Sequence, residues 1–167
     1  MAKNYKNYRP VKQSFKMSCW AACLEWWSKY MSPTKPVLTE IGLVYEARAE
    51  GMSPKVDAYD ETYGGLEIQH IEAMLERNDL CGMVGDRISS FSLTPEFISQ
   101  KLAKGPIFIS YHEPKVGGGH ANIIIKCKTD WRGLSMLTVM EPDTGKFEKR
   151  TIDSYYNEGD TIIGYLN

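Results

Sequence analysis

Four side-chain types in this chain can do chemistry if the fold brings them together: a cysteine, a histidine, a carboxylate and an amide. Cys19 opens the run Cys19-Trp20-Ala21-Ala22-Cys23, directly after Ser18, a residue suited to cap a helix. A cysteine in the first turn of a helix faces unsatisfied backbone N–H groups and the positive end of the helix dipole, which favour thiolate over thiol. Cys19 is therefore a candidate nucleophile. Gln13 precedes it by six residues, so a loop can aim the glutamine amide and the Cys19 backbone N–H at one oxygen. Paired donors of this kind stabilise the oxyanion of acyl transfer, and losing one costs on the order of 10²- to 10³-fold in rate.

A thiol nucleophile needs a base, and the chain offers His70, His112 and His120. His70 falls in a helical pattern and reads as a partly exposed helix residue. His112 ends a β-rich run beside Glu113-Pro114, with no orienting group in view. His120 follows Gly117-Gly118-Gly119 and opens the apolar run Ala121 to Cys127, so the missing side chains leave room beside it for another segment or a substrate. If 120–127 and 135–142 pair as a hairpin turning around Asp130 to Gly133, position 120 lies opposite a point near 142, flanked by Glu141 and Asp143. Side chains alternate across a strand, so both acids fall on one face and register alone does not choose between them. Either could accept the Nδ1 proton of His120 and leave Nε2 to receive the thiol proton.

The elements that must hold these groups follow from periodicity. Trp20, Cys23, Leu24, Trp27 and Tyr30 recur at spacings of three and four, predicting a largely buried helix from Cys19 to Tyr30, stopped by Ser32-Pro33. Helical spacing returns over Leu38 to Glu50, ended by Gly51, and over Leu66 to Asn78, with a loop between Gly51 and Gly65 and a short strand at Leu80 to Val84. Thr94-Pro95-Glu96 opens a helix to Lys104. Beyond Gly105-Pro106 the pattern turns to β, with runs at Ile107 to Tyr111, His120 to Cys127, Met136 to Met140 and Ile162 to Leu166. Helices first and strands afterwards predict an α+β fold with a cleft where the two parts meet.

The chain of 167 residues is long enough for one domain with a core, and 43% apolar with 25% charged residues is the composition of a globular protein. Lys3, Lys6, Arg9, Lys12 and Lys16 crowd the start without an acid among them. We read residues 1–12 as a basic, solvated arm and 13–167 as a single domain, with no nucleic-acid partner implied. No apolar run is long enough to span a bilayer and no secretory signal core is present, which predicts no stable membrane insertion and a protein that is cytoplasmic or exported by a non-Sec route. Cys19, Cys23, Cys81 and Cys127 read as reduced thiols. Cys19-x-x-x-Cys23 has no second close pair and the histidines are scattered, so neither a metal nor another cofactor is expected.

Gln13-x₅-Cys19-Trp20-Ala21, with the cysteine opening a buried helix, resembles the active-site segment of papain-like cysteine proteases. Leu93-Thr94-Pro95-Glu96 through Lys104-Gly105-Pro106-Ile107-Phe108-Ile109, followed by Gly119-His120-Ala121 and a strand, is similar to their compact bacterial branch. That branch includes the AvrRpt2-like effector proteases and the C39-like peptidases that cleave bacteriocin leaders. The resemblance implies a papain-like fold, a helical lobe packed on an antiparallel sheet, and a protein or peptide substrate cleaved through a Cys19 acyl-enzyme. It implies Gln13 as the oxyanion-hole side chain and His120 as general base and then acid, while action in the cytosol and export as a secreted effector both stay open. The branch usually places an aspartate before a proline as third residue. Here Glu141 precedes Pro142, one methylene longer, with Asp143 as the alternative. A deamidase, transglutaminase or amidase with the same site, and an inactive papain-like binding module, are the competing functions.

Overall fold

The computed structural model of the chain describes residues 5–31, 36–54, 60–115 and 118–167. Its centre is helix α1 (Cys19–Met31), whose Trp20, Cys23, Leu24, Trp26 and Trp27 are all at most 3% exposed. Burying side chains of this size is worth roughly 1.5–3 kcal/mol each, so α1 is held by its surroundings along its whole length. The expected stop at Ser32-Pro33 lies outside the described residues. Three further helices follow: α2 (Glu40–Ala49), α3 (Ile68–Leu75) and α4 (Pro95–Leu102). Thr39 and Thr94 cap α2 and α4, their hydroxyls accepting from Gly42 N–H and Phe97 N–H. The helix predicted over 66–78 is shorter at both ends, because Glu67 still has extended backbone and Glu76 has left the helix.

Six strands form one antiparallel sheet: β1 (Met83–Ser89), β2 (Ile107–Glu113), β3 (Gly118–Thr129), β4 (Ser135–Glu141), β5 (Lys146–Thr151) and β6 (Asp160–Leu166). Their spatial order is β1-β6-β2-β3-β4-β5. The strand expected at 80–84 begins later and runs to Ser89, paired with β6. β5 was not expected: Lys-Phe-Glu-Lys-Arg-Thr is mostly polar, as suits an edge strand.

The sheet buries both faces. On one side α1 and α3 pack against the sheet, with α2 on α1, in a core that includes Phe108, Ala121, Ile123, Met140 and Ile162. On the other, Ile98 of α4 and Ile152 and Tyr155 of a 3₁₀ turn cover Ile109, Tyr111, Ile124, Val139 and Ile163. The segment read as a basic arm joins this body: Tyr5 is buried against Trp26, and the Tyr8 ring stacks on Tyr30 with centroids 4.3 Å apart.

Candidate active site

Residues 13–18 lead into α1 along a course set by three contacts. Gln13 N–H donates to the Pro142 carbonyl (2.9 Å), tying the loop to the end of β4. Lys16 N–H and the Lys16 carbonyl pair with Thr62 and Gly64, so the 60–65 segment lies alongside. Gly64 is required there, since a Cβ would stand 2.7 Å from Ser18 Cβ and 2.9 Å from Phe15 Cβ. The third contact is Glu40, the first residue of α2. Its buried carboxylate accepts from Ser14 N–H (2.7 Å), Phe15 N–H (3.2 Å) and the Ser18 hydroxyl.

Ser18 departs from expectation in this respect. Its carbonyl accepts the first helical N–H groups, from Ala21 and Ala22, but its hydroxyl turns to the Phe15 carbonyl and Glu40 instead of capping the helix. An anionic acceptor is a stronger partner for a hydroxyl than a backbone amide. Met17, with φ of 61°, makes the left-handed turn that permits this. Such a conformation costs a non-glycine residue roughly 1–2 kcal/mol, and here it delivers Cys19 to the cleft.

From the sheet, His120 near the start of β3 and Glu141 at the end of β4 meet on one face, with His120 Nε2 2.7 Å from Glu141 Oε1 and both residues buried. Cys19 lines the same cleft as the imidazole, and its thiol is among the groups that raise the His120 pKa. The expected assignment of ring nitrogens is thus reversed. Nε2 faces the carboxylate, and Nδ1 is left for the sulfur.

The expected register is also corrected. A bulge between Ile124 and Lys126 shifts the β3–β4 ladder, so that Ile123 pairs with Met140. Glu141 then comes level with Asn122, two residues after His120 on the same strand face. Asn122 Nδ2 donates to Glu141 Oε2 at 2.9 Å. Asp143, the other candidate, is exposed and contributes its backbone N–H to Glu141 Oε1 (3.2 Å).

Four donors therefore surround Glu141: His120 and Asp143 N–H on Oε1, Asn122 and Arg150 Nη2 (3.1 Å) on Oε2. Burial would raise its pKa, but the hydrogen bond and charge of His120 and the bonds from Asn122 and Asp143 N–H hold it below the usual carboxylate range. For His120, burial would favour the neutral ring. Hydrogen bonds to Cys19 and Glu141 and their charges outweigh that and push the pKa up to about 10. Cys23, one turn below Cys19, is driven the other way: burial, and then the neighbouring Cys19 and Glu141 charges, raise its pKa well above the ordinary thiol value. Cys23 is a neutral core thiol.

Cys19 and His120 line a cleft of about 170 Å³ with Met17, Trp20, Leu66 and Ile71. A larger hollow of about 520 Å³, sharing Leu66, Ile68 and Gly119, continues from it toward His112 and Asn157. A Cβ at Gly119 would meet nothing within 4 Å, as the expected open space requires, whereas Gly117 lies outside the described residues. Gln13 does not line the cleft. Its Nε2 makes one long bond to the Phe15 carbonyl (3.3 Å), and its Oε1 is buried without a partner. His70 lies on α3 beside Glu67, away from this cluster.

Among the described residues, His120, Glu141 and Asp143 bring ligand atoms within 4.8 Å of one another. Glu141 is already saturated by donors and sits beside the Arg150 cation, so the set suits an ion pair better than a metal. Sequence reasoning missed Asn122, Arg150 and Glu40. Period-two spacing from His120 could have flagged Asn122. Nothing local marked the other two.

A helical layer with a cysteine at the head of its buried helix, facing a histidine on an antiparallel sheet, is the arrangement of the papain-like thiol hydrolases. The family model described as papain-like cysteine protease AvrRpt2 matches residues 4–160, and the chain belongs to that family. Among solved structures, the crystal structure of UfSP from C. elegans is similar, with a TM-score of 0.50 at 13% identity. The match covers 97% of this chain and 35% of that one, so this chain spans about a third of the UfSP chain, and the likeness is one of fold. No curated protein matches the sequence. Among the described residues, no helix is long and apolar enough to cross a membrane.

Proposed function

We propose that this protein is a thiol-dependent peptidase that cleaves peptide bonds through a Cys19 acyl-enzyme. The observation that carries this reading is the buried His120–Glu141 pair, Nε2 to Oε1 at 2.7 Å, in the cleft that Cys19 also lines. It supports a nucleophile, base and orienter in that order. Cys19 Sγ attacks the scissile carbonyl carbon while its proton resides on His120 Nδ1. Negative charge collects on the carbonyl oxygen, where the Cys19 backbone N–H acts as donor and the Gln13 amide joins it by turning from the Phe15 carbonyl toward the cleft.

Collapse of the tetrahedral adduct breaks the C–N bond, and His120 gives its proton to the departing amine. Water, deprotonated by the same ring, then attacks the thioester and releases the carboxylic acid and the thiol. Glu141 holds the ring in one orientation through Nε2 and balances its charge. Glutamate in place of aspartate fits because the bulge and Asn122 set the carboxylate at the right depth. Substrate is taken in the cleft floored by Leu66 and Ile71.

The test is to treat a denatured protein mixture with wild-type protein and with Cys19→Ala, and to read both by mass spectrometry. New peptide termini with wild type alone are the expected result. Cleavage that persists in Cys19→Ala overturns the reading. Conversion of glutamines with a mass gain of roughly one dalton, and no new termini, would assign the site to a deamidase instead.

A further inference from the structure

Arg150 projects from the edge strand β5, which pairs it with Leu137 of β4 and so puts it on the same sheet face as Glu141. Its guanidinium joins two buried carboxylates, with Nη1 2.9 Å from Glu113 Oε2 and Nη2 3.1 Å from Glu141 Oε2. It lies over two rings, 5.7 Å from the Tyr111 centroid and 5.8 Å from that of Tyr155, and also donates to the Tyr111 hydroxyl. Both tyrosine hydroxyls reach Asn122 Oδ1 at 3.1 Å, which leaves the Asn122 amide nitrogen turned toward Glu141. The tyrosines, Glu113 and Asn122 thus form a frame, and the fork of Arg150 is locked into it. This geometry is more than a surface ion pair, since Glu141 and Glu113 are buried and the cation is mostly covered.

We propose that Arg150 is a positioning residue of this site: its guanidinium, fixed by Glu113, Tyr111 and Tyr155, pins Glu141 Oε2 so that Oε1 faces His120, and it supplies the positive charge that the buried anion requires. The inference rests on the peptidase reading for the roles of Cys19 and His120. Without Arg150, Glu141 keeps one side-chain donor on Oε2, Asn122, and among the described residues one ion-pair partner, His120. Glu141 then binds a proton more readily, and the Cys19–His120–Glu141 cluster, which titrates as a unit, loses its charged form at a higher pH as acid is added.

The groups that face the cluster are few. Glu113 and Tyr111 come from β2 and Tyr155 from the 3₁₀ turn. Burial keeps both tyrosines neutral; burial of Glu113 opposes its charge, but the bonds from Arg150, Lys115 N–H and Tyr111 and the charge of Arg150 hold it ionised. Cys23 lies on the α1 side. Lys115, Asp143 and Glu148 line the hollow beside Arg150. Lys146, the register partner of Glu141 on β5, is exposed, and Lys115 gives its backbone N–H to Glu113 (3.3 Å); among the described residues the ion pairs of Glu141 are those with His120 and Arg150.

The experiment measures the rate of iodoacetamide alkylation of Cys19, by peptide mapping, from acid to mildly alkaline pH. The exposed, free Cys81 of the same chain is the internal reference. Wild type, Arg150→Gln and Arg150→Lys are compared, with the melting temperature of each. The pH of half-maximal Cys19 alkylation should rise by about one unit in Arg150→Gln, the shift expected when an opposite charge at this range is removed. Arg150→Lys, which restores the charge, should return most of it.

A lowered melting temperature with an unmoved profile in both variants would make Arg150 merely structural and overturn the proposal while leaving the peptidase reading intact. Wild-type Cys19 reacting no faster than Cys81 near pH 6.5 would overturn the peptidase reading itself, and the proposal with it.

Discussion

The two halves of the site are held by different means. The nucleophile half, residues 13–19, is a loop fixed by backbone hydrogen bonds and one buried acceptor, Glu40, and ends on a helix buried along its length. The base half is a set of side chains on neighbouring strands, His120, Asn122, Glu141 and Arg150, held by charge-assisted contacts to one another. On the proposed mechanism, the loop presents backbone and amide N–H groups to a charge that exists only during reaction. The sheet must hold charge permanently, and it does so in a burial that only mutual pairing makes tolerable. Damage to the loop should therefore appear mainly as lost transition-state stabilisation, and damage to the sheet as altered protonation.

Mutations can break that contrast. The largest effect is expected for His120→Ala, which should lower kcat/KM for peptide cleavage by on the order of 10⁴-fold or more, since removing one member of such a unit costs nearly as much as removing all. Next, Gln13→Ala should reduce kcat by on the order of 10²- to 10³-fold. It should leave the pH dependence of Cys19 alkylation as in wild type, because the amide acts on the oxyanion and not on the thiol. A shift in that profile would move Gln13 into the protonation half.

Glu40→Ala should lower kcat by roughly tenfold and, by stranding Ser14 N–H and Phe15 N–H, cost about 1–3 kcal/mol of stability, read by urea denaturation. A further effect concerns pH. The His120 pKa is raised in the fold from 6.5 to about 10. The stability this contributes is fully present below about pH 6.5 and is lost as pH rises through about 10. Wild type should therefore lose stability across that window, and His120→Ala should lose less.

The contrast between the halves also explains how far the sequence could be read. Gln13, Cys19 and the helix behind them lie within a short span, where cap position and apolar period are local signals, and α1 follows that pattern to within a residue. His120 was legible from glycines before it and a β run after it. The choice between Glu141 and Asp143 was not, because it turns on a bulge at Ile125 that no residue type announces. Arg150 was hidden by the polar sequence of β5, whose partners, apart from Tyr155, lie 9 to 39 positions earlier in the chain. Glu40 looked like an ordinary first-turn acid. Its role appears only when α2 is folded against the loop before Cys19, a contact fixed by Gly64 as much as by Glu40 itself.

The central claim is that Cys19 carries the acyl group. The direct measurement is to mix the protein with a panel of peptide esters, quench in acid within the first turnover, and locate the adduct by intact-mass and peptide mapping. An acyl adduct on the peptide containing Cys19, absent from Cys19→Ala and relieved by hydrolysis at longer times, is the result expected. Ester or peptide cleavage with no adduct at Cys19, or an adduct mapped to Cys23, Cys81 or Cys127 instead, would contradict it.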